Sequence, residues 1–225
     1  MSNRPLVSII TPTWQRHTLL LETIQNVREQ TYSNLEHVIV SDGHDNDLHS
    51  DMMGVNGPPP PNLRPGEVSY QWSPWPHPPV RFVELGRNWS TFMPRSFGVA
   101  PLTVGALLAR GEYHAWLCDD ERMQPDHIEQ LVDLIERTGA DFVYPHVLMW
   151  RMGNPGIAWV IGTDPPEHGQ FTHCLYRASA LQKAMYRFGM PEGVENDWDM
   201  ARRWMAAGAT WAMSDRCTIS HRADH

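Results

Sequence analysis

Lysine is almost absent from this chain. Its 225 residues include a single lysine, Lys183, against 17 arginines, and the formal net charge at pH 7 is -8. A negative balance argues against non-specific nucleic-acid binding, because that binding depends on cationic side chains that displace counterions from phosphates. An anionic ligand must therefore be held by a local group of residues.

Cysteines and long apolar runs are scarce as well. Cys118, Cys174 and Cys217 are widely spaced and form no C-x-x-C pair, so they suggest neither a disulfide framework nor a structural zinc site. Apolar stretches such as Gly105–Ala109 fall short of the ~20 residues of a membrane-spanning helix. The N-terminus lacks the apolar region of a signal peptide. We therefore expect a cytoplasmic protein with no transmembrane segment.

The composition is otherwise that of a globular protein. Apolar residues make up 41% and charged residues 20%, which excludes disorder for the bulk of the chain. The apolar pattern predicts helices around Leu20, over Pro101–Arg110 and after Asp126. It predicts strands at Leu6–Ile10, Leu35–Val40, Val80–Leu85 and Glu112–Cys118. Strands that alternate with helices predict an α/β sheet.

Two further regions depart from this alternation. Residues His44–Pro79 include Pro58–Pro61 and predict a long irregular loop, in which Trp72 and Trp75 either pack locally or cover a ligand. After Gly139 the pattern loosens into short strands and helices. The strands are expected at Asp141–Leu148, Ala158–Ile161 and Phe171–Tyr176, and the helices near Ser179–Arg187 and Asp197–Ala207.

Three consecutive carboxylates follow a predicted buried strand. Asp119, Asp120 and Glu121 stand at its C-terminal end, where ligands bind in open α/β sheets. Clustered carboxylates repel one another and suit Mg²⁺ or Mn²⁺, which commonly join a carboxylate to a diphosphate. A solvated acidic turn is the alternative interpretation.

A second acidic group lies near the C-terminal end. Glu195–Asp199 comes where a helix should begin, so its acids either cap that helix or supply a general base. His221 follows a predicted strand, and as a metal ligand it would favour Mn²⁺ over Mg²⁺.

Together these segments resemble family 2 glycosyltransferases of the GT-A fold. The resemblance covers most of the chain, with residues 44–79 as the main gap. The matching segments are Val7–Thr13 with Arg16, Glu29–Glu36, Val38–Gly43, Ala109–Tyr113, Leu117–Glu121 with Pro125, Tyr176 with Arg177, Gly189, and Asn196–Asp199 with Arg202, Arg203 and Gly208.

The resemblance implies a Rossmann-like mixed sheet flanked by helices, with a nucleotide-sugar-binding half (1–121) and an acceptor-binding half (122–225). It implies a metal-dependent, inverting transfer of a sugar from a nucleotide sugar, typically a UDP-sugar, to an acceptor hydroxyl. Asp197 takes the position of the catalytic base. Asp120 with His221 would hold Mn²⁺ or Mg²⁺. The nucleotide-sugar positions are Thr11, Pro12, Thr13, Arg16, Asp42 and Asp119.

Four positions depart from the family pattern. Cys118 stands at the first Asp of the D-x-D motif, Asn196 replaces the acid before the base, and Leu102 and Thr103 replace an Arg-Asn pair. The changes at Cys118, Leu102 and Thr103 keep open a catalytically silent module that binds sugar nucleotides. A nucleotidyltransferase is a second alternative, although it would usually open with a glycine-rich phosphate loop, and Thr11–Thr13 contains no glycine.

Overall fold

The computed structural model describes residues 4–45, 48, 49, 52, 68–72, 78–93, 98–151, 156–166, 170–188 and 196–222. The strands are β1 (Val7–Thr13), β2 (Leu35–Ser41), β3 (Val68–Trp72), β4 (Val80–Leu85), β5 (Tyr113–Trp116), β6 (Arg122–Met123), β7 (Phe142–Arg151), β8 (Ile157–Ile161), β9 (Leu175–Arg177) and β10 (Trp211–Arg222). The helices are α1 (His17–Arg28), α2 (Trp89–Phe92), α3 (Val99–Leu108), α4 (His127–Thr138) and α5 (Asn196–Ala206), with 3₁₀ turns at Phe171–His173 and Ala178–Gln182.

All ten strands form one mixed sheet in the order β3-β4-β2-β1-β5-β9-β7-β10-β6, with β8 paired to β7 beside this path. The strands β4, β2, β1 and β5 are mutually parallel, and so are β7 and β10. The remaining pairs are antiparallel. The parallel strands place their carboxyl ends at one edge, which is where a ligand crevice forms in such sheets.

Apolar side chains cover both faces of the sheet. One core cluster joins β1, β5 and β7 to α4, and another joins the opposite face of those strands to α3 and α5. Close packing requires the glycine at position 105 inside α3, because a Cβ there would collide with the side chain of Ile10 on β1. Helix α3 can therefore lie directly on the sheet.

Several predicted elements are confirmed, and others are wrong. The prediction of a long irregular loop at 44–79 is wrong for residues 68–72, which form the edge strand β3. Trp75 lies outside the described residues. The helix predicted near Ser179–Arg187 is only the 3₁₀ turn Ala178–Gln182. The division at residue 121 remains a prediction, since one sheet runs through both halves.

Strand β1 also runs further than the sequence indicates, through Pro12 to Thr13. Leu117 donates its N–H to the carbonyl of Ile10, so the backbone of Ile10, and hence of Pro12, faces β5. Because β5 pairs with β1 only as far as Ile10, the missing N–H of Pro12 removes no ladder hydrogen bond.

The longest helices among the described residues have 12 residues. None of the described helices combines the length and the apolar character needed to cross a membrane.

Candidate functional site

The site is built where β1, β2 and β5 end side by side. The end of β1 and the loop after it bring Thr13 and Arg16 to the acids that follow β5. Thr13 donates its hydroxyl hydrogen to Asp119 Oδ2 at 2.8 Å. Arg16 Nη1 lies 3.0 Å from Asp119 Oδ1 and 2.8 Å from Asp120 Oδ2. One guanidinium therefore bridges two neighbouring carboxylates.

Asp119 is the more enclosed of these two acids. Burial raises the pKa of its carboxyl group, although Thr13 and Arg16 pull that pKa down and Asp120 pushes it up. The backbone carbonyl of Asp119 accepts a hydrogen bond from Thr23 of α1 at 3.0 Å. The predicted acidic turn is thus fixed from α1 and from β1, and it is not a freely solvated loop.

Glu121 points towards β10 and the 3₁₀ turn at Phe171–His173. Its Oε1 lies 2.7 Å from His221 Nδ1 and 3.5 Å from His173 Nδ1, and its Oε2 accepts the N–H of Cys118 at 2.9 Å. One ligand atom from each of Glu121, His173 and His221 lies within 4.8 Å of the others. This carboxylate and these two imidazoles form the described group of side chains with the spacing of a metal site.

The charges within this group reinforce one another. Burial favours the neutral acid, but the nearby charges of His173 and His221 outweigh it and hold the pKa of Glu121 well below its usual range. Burial likewise opposes protonation of His221, yet the hydrogen bond and charge of Glu121 prevail and raise its pKa. His173 is fully buried, and neither of its ring nitrogens has a hydrogen-bond partner among the described residues.

Asp197 lies at the first turn of α5, beside the 3₁₀ turn that carries His173. Its Oδ2 accepts the hydroxyl hydrogen of Thr172 at 2.5 Å. Its charge helps to raise the pKa of His221 and, behind the larger effect of burial, that of Cys118. The start of α5 and the acids after β5 therefore meet at one place.

Asp199 has a different role from Asp197. It is buried and binds Arg187 Nη2 and Arg203 Nε, both at 2.7 Å. This double ion pair fastens α5 to the segment before it. Asp197 and Asp199 are two positions apart in the sequence but differ in role: Asp197 lies at the site, and Asp199 anchors the helix.

Asp42 caps α2. Its carboxylate accepts hydrogen bonds from the N–H of Trp89 at 2.9 Å, from the N–H of Ser90 at 3.1 Å and from the Ser90 hydroxyl at 2.6 Å. Beside it, Gly43 has a φ of +131°, and a Cβ there would collide with the ring of Trp14. The end of β2 is therefore packed closely against the loop that follows β1.

The three residues of the first predicted nucleotide-sugar segment are not equivalent. The Thr11 hydroxyl is buried 2.9 Å from Nε2 of His37, so a ligand contact by Thr11 would have to come from its main chain. Thr13 faces Asp119, and Pro12 offers no polar side-chain atom. Of the predicted residues, Thr13, Arg16, Asp119 and Asp120 are joined by hydrogen bonds and ion pairs.

His173 is the residue of this site that the sequence did not reveal. It is 52 residues from Glu121 and 48 from His221, and it occupies a 3₁₀ turn without any ligand spacing of its own. Only the antiparallel return of β9 beside β5 brings it near the acids.

The family model for glycosyl transferase family 2 matches residues 8–51 and 98–190, more than half of the chain. The chain belongs to this family. Over 42 residues, this family 2 protein is 50% identical to WcaA of Escherichia coli K12, which is named as a colanic acid biosynthesis glycosyl transferase. That match covers 19% of this chain and 15% of WcaA.

Two solved structures confirm the GT-A fold of this family 2 chain. Staphylococcus aureus TarS 1–349 in complex with UDP-GlcNAc has a TM-score of 0.66 at 13% identity, over 98% of this chain and 59% of that one. The mannosyltransferase PcManGT of Pyrobaculum calidifontis, in complex with GDP-Man and Mn²⁺, has a TM-score of 0.64 at 16% identity, over 98% and 57%. The chain thus spans less than two thirds of each of these relatives.

Proposed function

We propose that this family 2 chain transfers a sugar, with inversion, from a UDP-sugar to an acceptor hydroxyl. The observation that carries the proposal is the group formed by Glu121, His173 and His221, whose ligand atoms lie within 4.8 Å of one another next to Asp120, with Asp197 bound to Thr172 beside His173. Metal-binding groups and a candidate base lie together there. The ligands named for TarS and PcManGT, UDP-GlcNAc and GDP-Man with Mn²⁺, support a nucleotide-sugar donor.

The donor would bind across the ends of β1, β2 and β5. Thr13, Arg16 and Asp119 line this edge, and the main chain of Pro12, beyond the last residue of β1 that pairs with β5, would extend it. Asp42 and the helix α2, which it caps, would border the base and ribose. Arg16 balances the charge of Asp119 and Asp120 at this edge and would face the diphosphate.

The donor groups of the site fit Mn²⁺ or Mg²⁺ held by Asp120 and His221. Glu121 holds Nδ1 of His221, which fixes the ring so that its other nitrogen can serve as a ligand. The buried imidazole of His173, whose ring nitrogens make no hydrogen bond among the described residues, adds a nitrogen donor to the same group and favours Mn²⁺ over Mg²⁺. Such an ion, when bound, would neutralise charge on the departing diphosphate.

Asp197 would accept the proton of the attacking hydroxyl. It is partly exposed at the start of α5, and Thr172 holds one of its oxygens in place. Attack from the face opposite the diphosphate gives an inverted product through a transition state that resembles an oxocarbenium ion. A base positioned in this way contributes about 10²–10⁴-fold to the rate.

A thermal-shift screen of nucleotide sugars, with and without Mn²⁺, tests the donor half of this proposal. A ligand that binds only the folded state raises the melting temperature. We expect UDP-sugars to raise it only in the presence of the metal. Equal shifts with and without Mn²⁺ would overturn the metal dependence, and stabilisation by GDP-sugars alone would overturn the choice of donor.

A further inference from the structure

The 3₁₀ turn Phe171–His173 joins two parts of the proposed site. His173, at the end of the turn, belongs to the group of side chains with the spacing of a metal site. Thr172, the residue before it, donates its hydroxyl hydrogen to Asp197 Oδ2 at 2.5 Å. One peptide bond therefore separates a candidate metal ligand from the residue that holds the candidate base.

The geometry of the turn sends its three side chains in different directions. Successive residues of a 3₁₀ helix are about 120° apart around its axis. Phe171 is buried in the core, Thr172 reaches α5, and His173 reaches the acids that follow β5. The N–H of His173 bonds to the carbonyl of Gln170, and that of Cys174 to the carbonyl of Phe171, both at 3.1 Å. The backbone of the turn is thus fixed on its own.

The turn is also fastened to α5 at two points. The ring of Phe171 packs edge-on against Trp204 of α5, with 5.3 Å between the centroids. Trp116 of β5 and Phe142 of β7 enclose the same ring at 5.5 Å and 5.3 Å. Trp204 comes seven residues after Asp197, nearly two helical turns, so both side chains lie on one face of α5. An aromatic contact and a hydrogen bond therefore hold this face against the turn.

We propose that Thr172 is the positioning residue of the base, and that the turn holds Asp197 in a fixed relation to the metal-binding group. This inference rests on the proposed function and adds a residue to it. The hydroxyl of Thr172 occupies Oδ2 and fixes the plane of the carboxylate, so Oδ1 is the oxygen that would accept the proton. A reacting group displaced by about 1 Å can lose roughly 10²-fold in rate, so this bond bears directly on turnover.

A double-mutant cycle on UDP release tests the assignment. The probes are UDP-glucose, UDP-galactose and UDP-N-acetylglucosamine with Mn²⁺, and water is the acceptor. Its oxygen bonds to the anomeric carbon as the bond to the diphosphate oxygen breaks, and its proton passes to Asp197. The variants are Thr172→Val, Thr172→Ser, Asp197→Asn and the double variant Thr172→Val with Asp197→Asn. The control is Thr138→Val, which removes a hydroxyl bonded at 2.8 Å to the carbonyl of Leu134 in α4.

We expect Thr172→Val to lower kcat for UDP release about tenfold, while KM for the donor stays parental. Its affinity for Mn²⁺, measured by electron paramagnetic resonance, and for UDP, measured by calorimetry, should also stay parental. Thr172→Ser keeps the hydroxyl and should recover most of the rate, and Thr138→Val should match the parent. In the Asp197→Asn background, Thr172→Val should cause no further loss, because Thr172 acts through that carboxylate.

Three results would overturn the positioning role alone. They are a parental rate in Thr172→Val, no recovery in Thr172→Ser, and an equal loss from Thr172→Val in the Asp197→Asn background. A loss of Mn²⁺ affinity alongside the rate would assign Thr172 to the structure of the turn and overturn it as well. A parent protein that releases no UDP from any of the three donors would refute the proposed function, and this inference with it.

Discussion

At the scale of single residues, a substitution at Asp197 distinguishes a catalytic role from a structural role most clearly. Asn can accept the hydrogen bond from Thr172 but cannot take a proton at neutral pH. We expect Asp197→Asn to fold and to bind UDP as the parent does, while its transfer rate falls by roughly 10²-fold or more. Steady-state kinetics with a UDP-sugar would measure this loss.

The control for that variant must be chosen from the structure. Asp199 lies two positions after Asp197 in the same helix and so points about 200° away from it. Its replacement would nevertheless leave Arg187 and Arg203 without their shared partner and destabilise α5 by about 1–3 kcal/mol. Asp215, an exposed carboxylate on β10, is the better control. An equal loss of rate in Asp215→Asn, or a parental rate in Asp197→Asn, would remove Asp197 as the base.

His173 gives a second prediction at this scale. If its buried imidazole helps to hold the ion, His173→Gln should weaken Mn²⁺ binding by about tenfold or more, because one nitrogen donor is lost. Electron paramagnetic resonance of free Mn²⁺ measures this without any substrate. His114→Gln, a change at a buried histidine on β5 outside the proposed site, should leave the Mn²⁺ affinity unchanged. Mn²⁺ affinity that is equal in all three proteins would exclude His173 from the site.

At the scale of elements, the short helix α2 connects the end of β2 to the donor edge. Asp42 caps the N–H groups of Trp89 and Ser90, and Asn88 caps that of Thr91 at 2.6 Å. If Asp42 acts by holding α2, then Asn88→Ala, which removes the other cap, should also weaken UDP binding severalfold. Calorimetric titration would measure it. Parental affinity in Asn88→Ala with a loss in Asp42→Ala would assign Asp42 to direct contact with the nucleotide.

The elements also show what a sequence can and cannot reveal. Strands β1, β2, β4 and β5 are recognisable because both of their faces are buried, which produces continuous apolar runs. Strand β3 is hidden by the prolines around it, although its alternation of Val68, Tyr70 and Trp72 is typical of an edge strand. All five of its residues pair with β4, so the predicted irregular loop does not extend over them.

The candidate site follows the same rule. Asp120 and Asp197 are proposed from the sequence because they stand in segments that resemble the family's motifs, and His221 because it follows a predicted strand. His173 could not be proposed in this way, because its position depends on the antiparallel return of β9 beside β5, which no local pattern encodes. Sequence motifs thus yield hypotheses about the chemistry of this site, while its surroundings require the fold.

At the scale of the whole molecule, buried neutral histidines make stability depend on pH. Burial lowers the pKa of His37 to about 3 and that of His114 to about 4. In the unfolded chain both would titrate near pH 6.5 and would therefore bind protons that the folded state does not bind. Stability is therefore present above pH 6.5 and is lost as the pH falls toward these folded-state values.

The expected loss is roughly 2 kcal/mol for each such histidine between pH 6.5 and 4.5. Urea unfolding at several pH values measures it. His37→Gln keeps a side chain that can bond to Thr11 and removes one titrating group, so its unfolding free energy should fall less steeply with pH than that of the parent. Identical slopes would show that His37 is not kept neutral by the fold.

The most direct test of the central claim is the release of UDP from UDP-sugars. With Mn²⁺, slow hydrolysis of the right donor requires the transferase chemistry and needs no knowledge of the acceptor. The account predicts UDP release by the parent protein that stops when the metal is chelated and is lost in Asp120→Ala. A parent protein that binds UDP with Mn²⁺ but releases none from any UDP-sugar would contradict the account and favour a silent nucleotide-sugar-binding module.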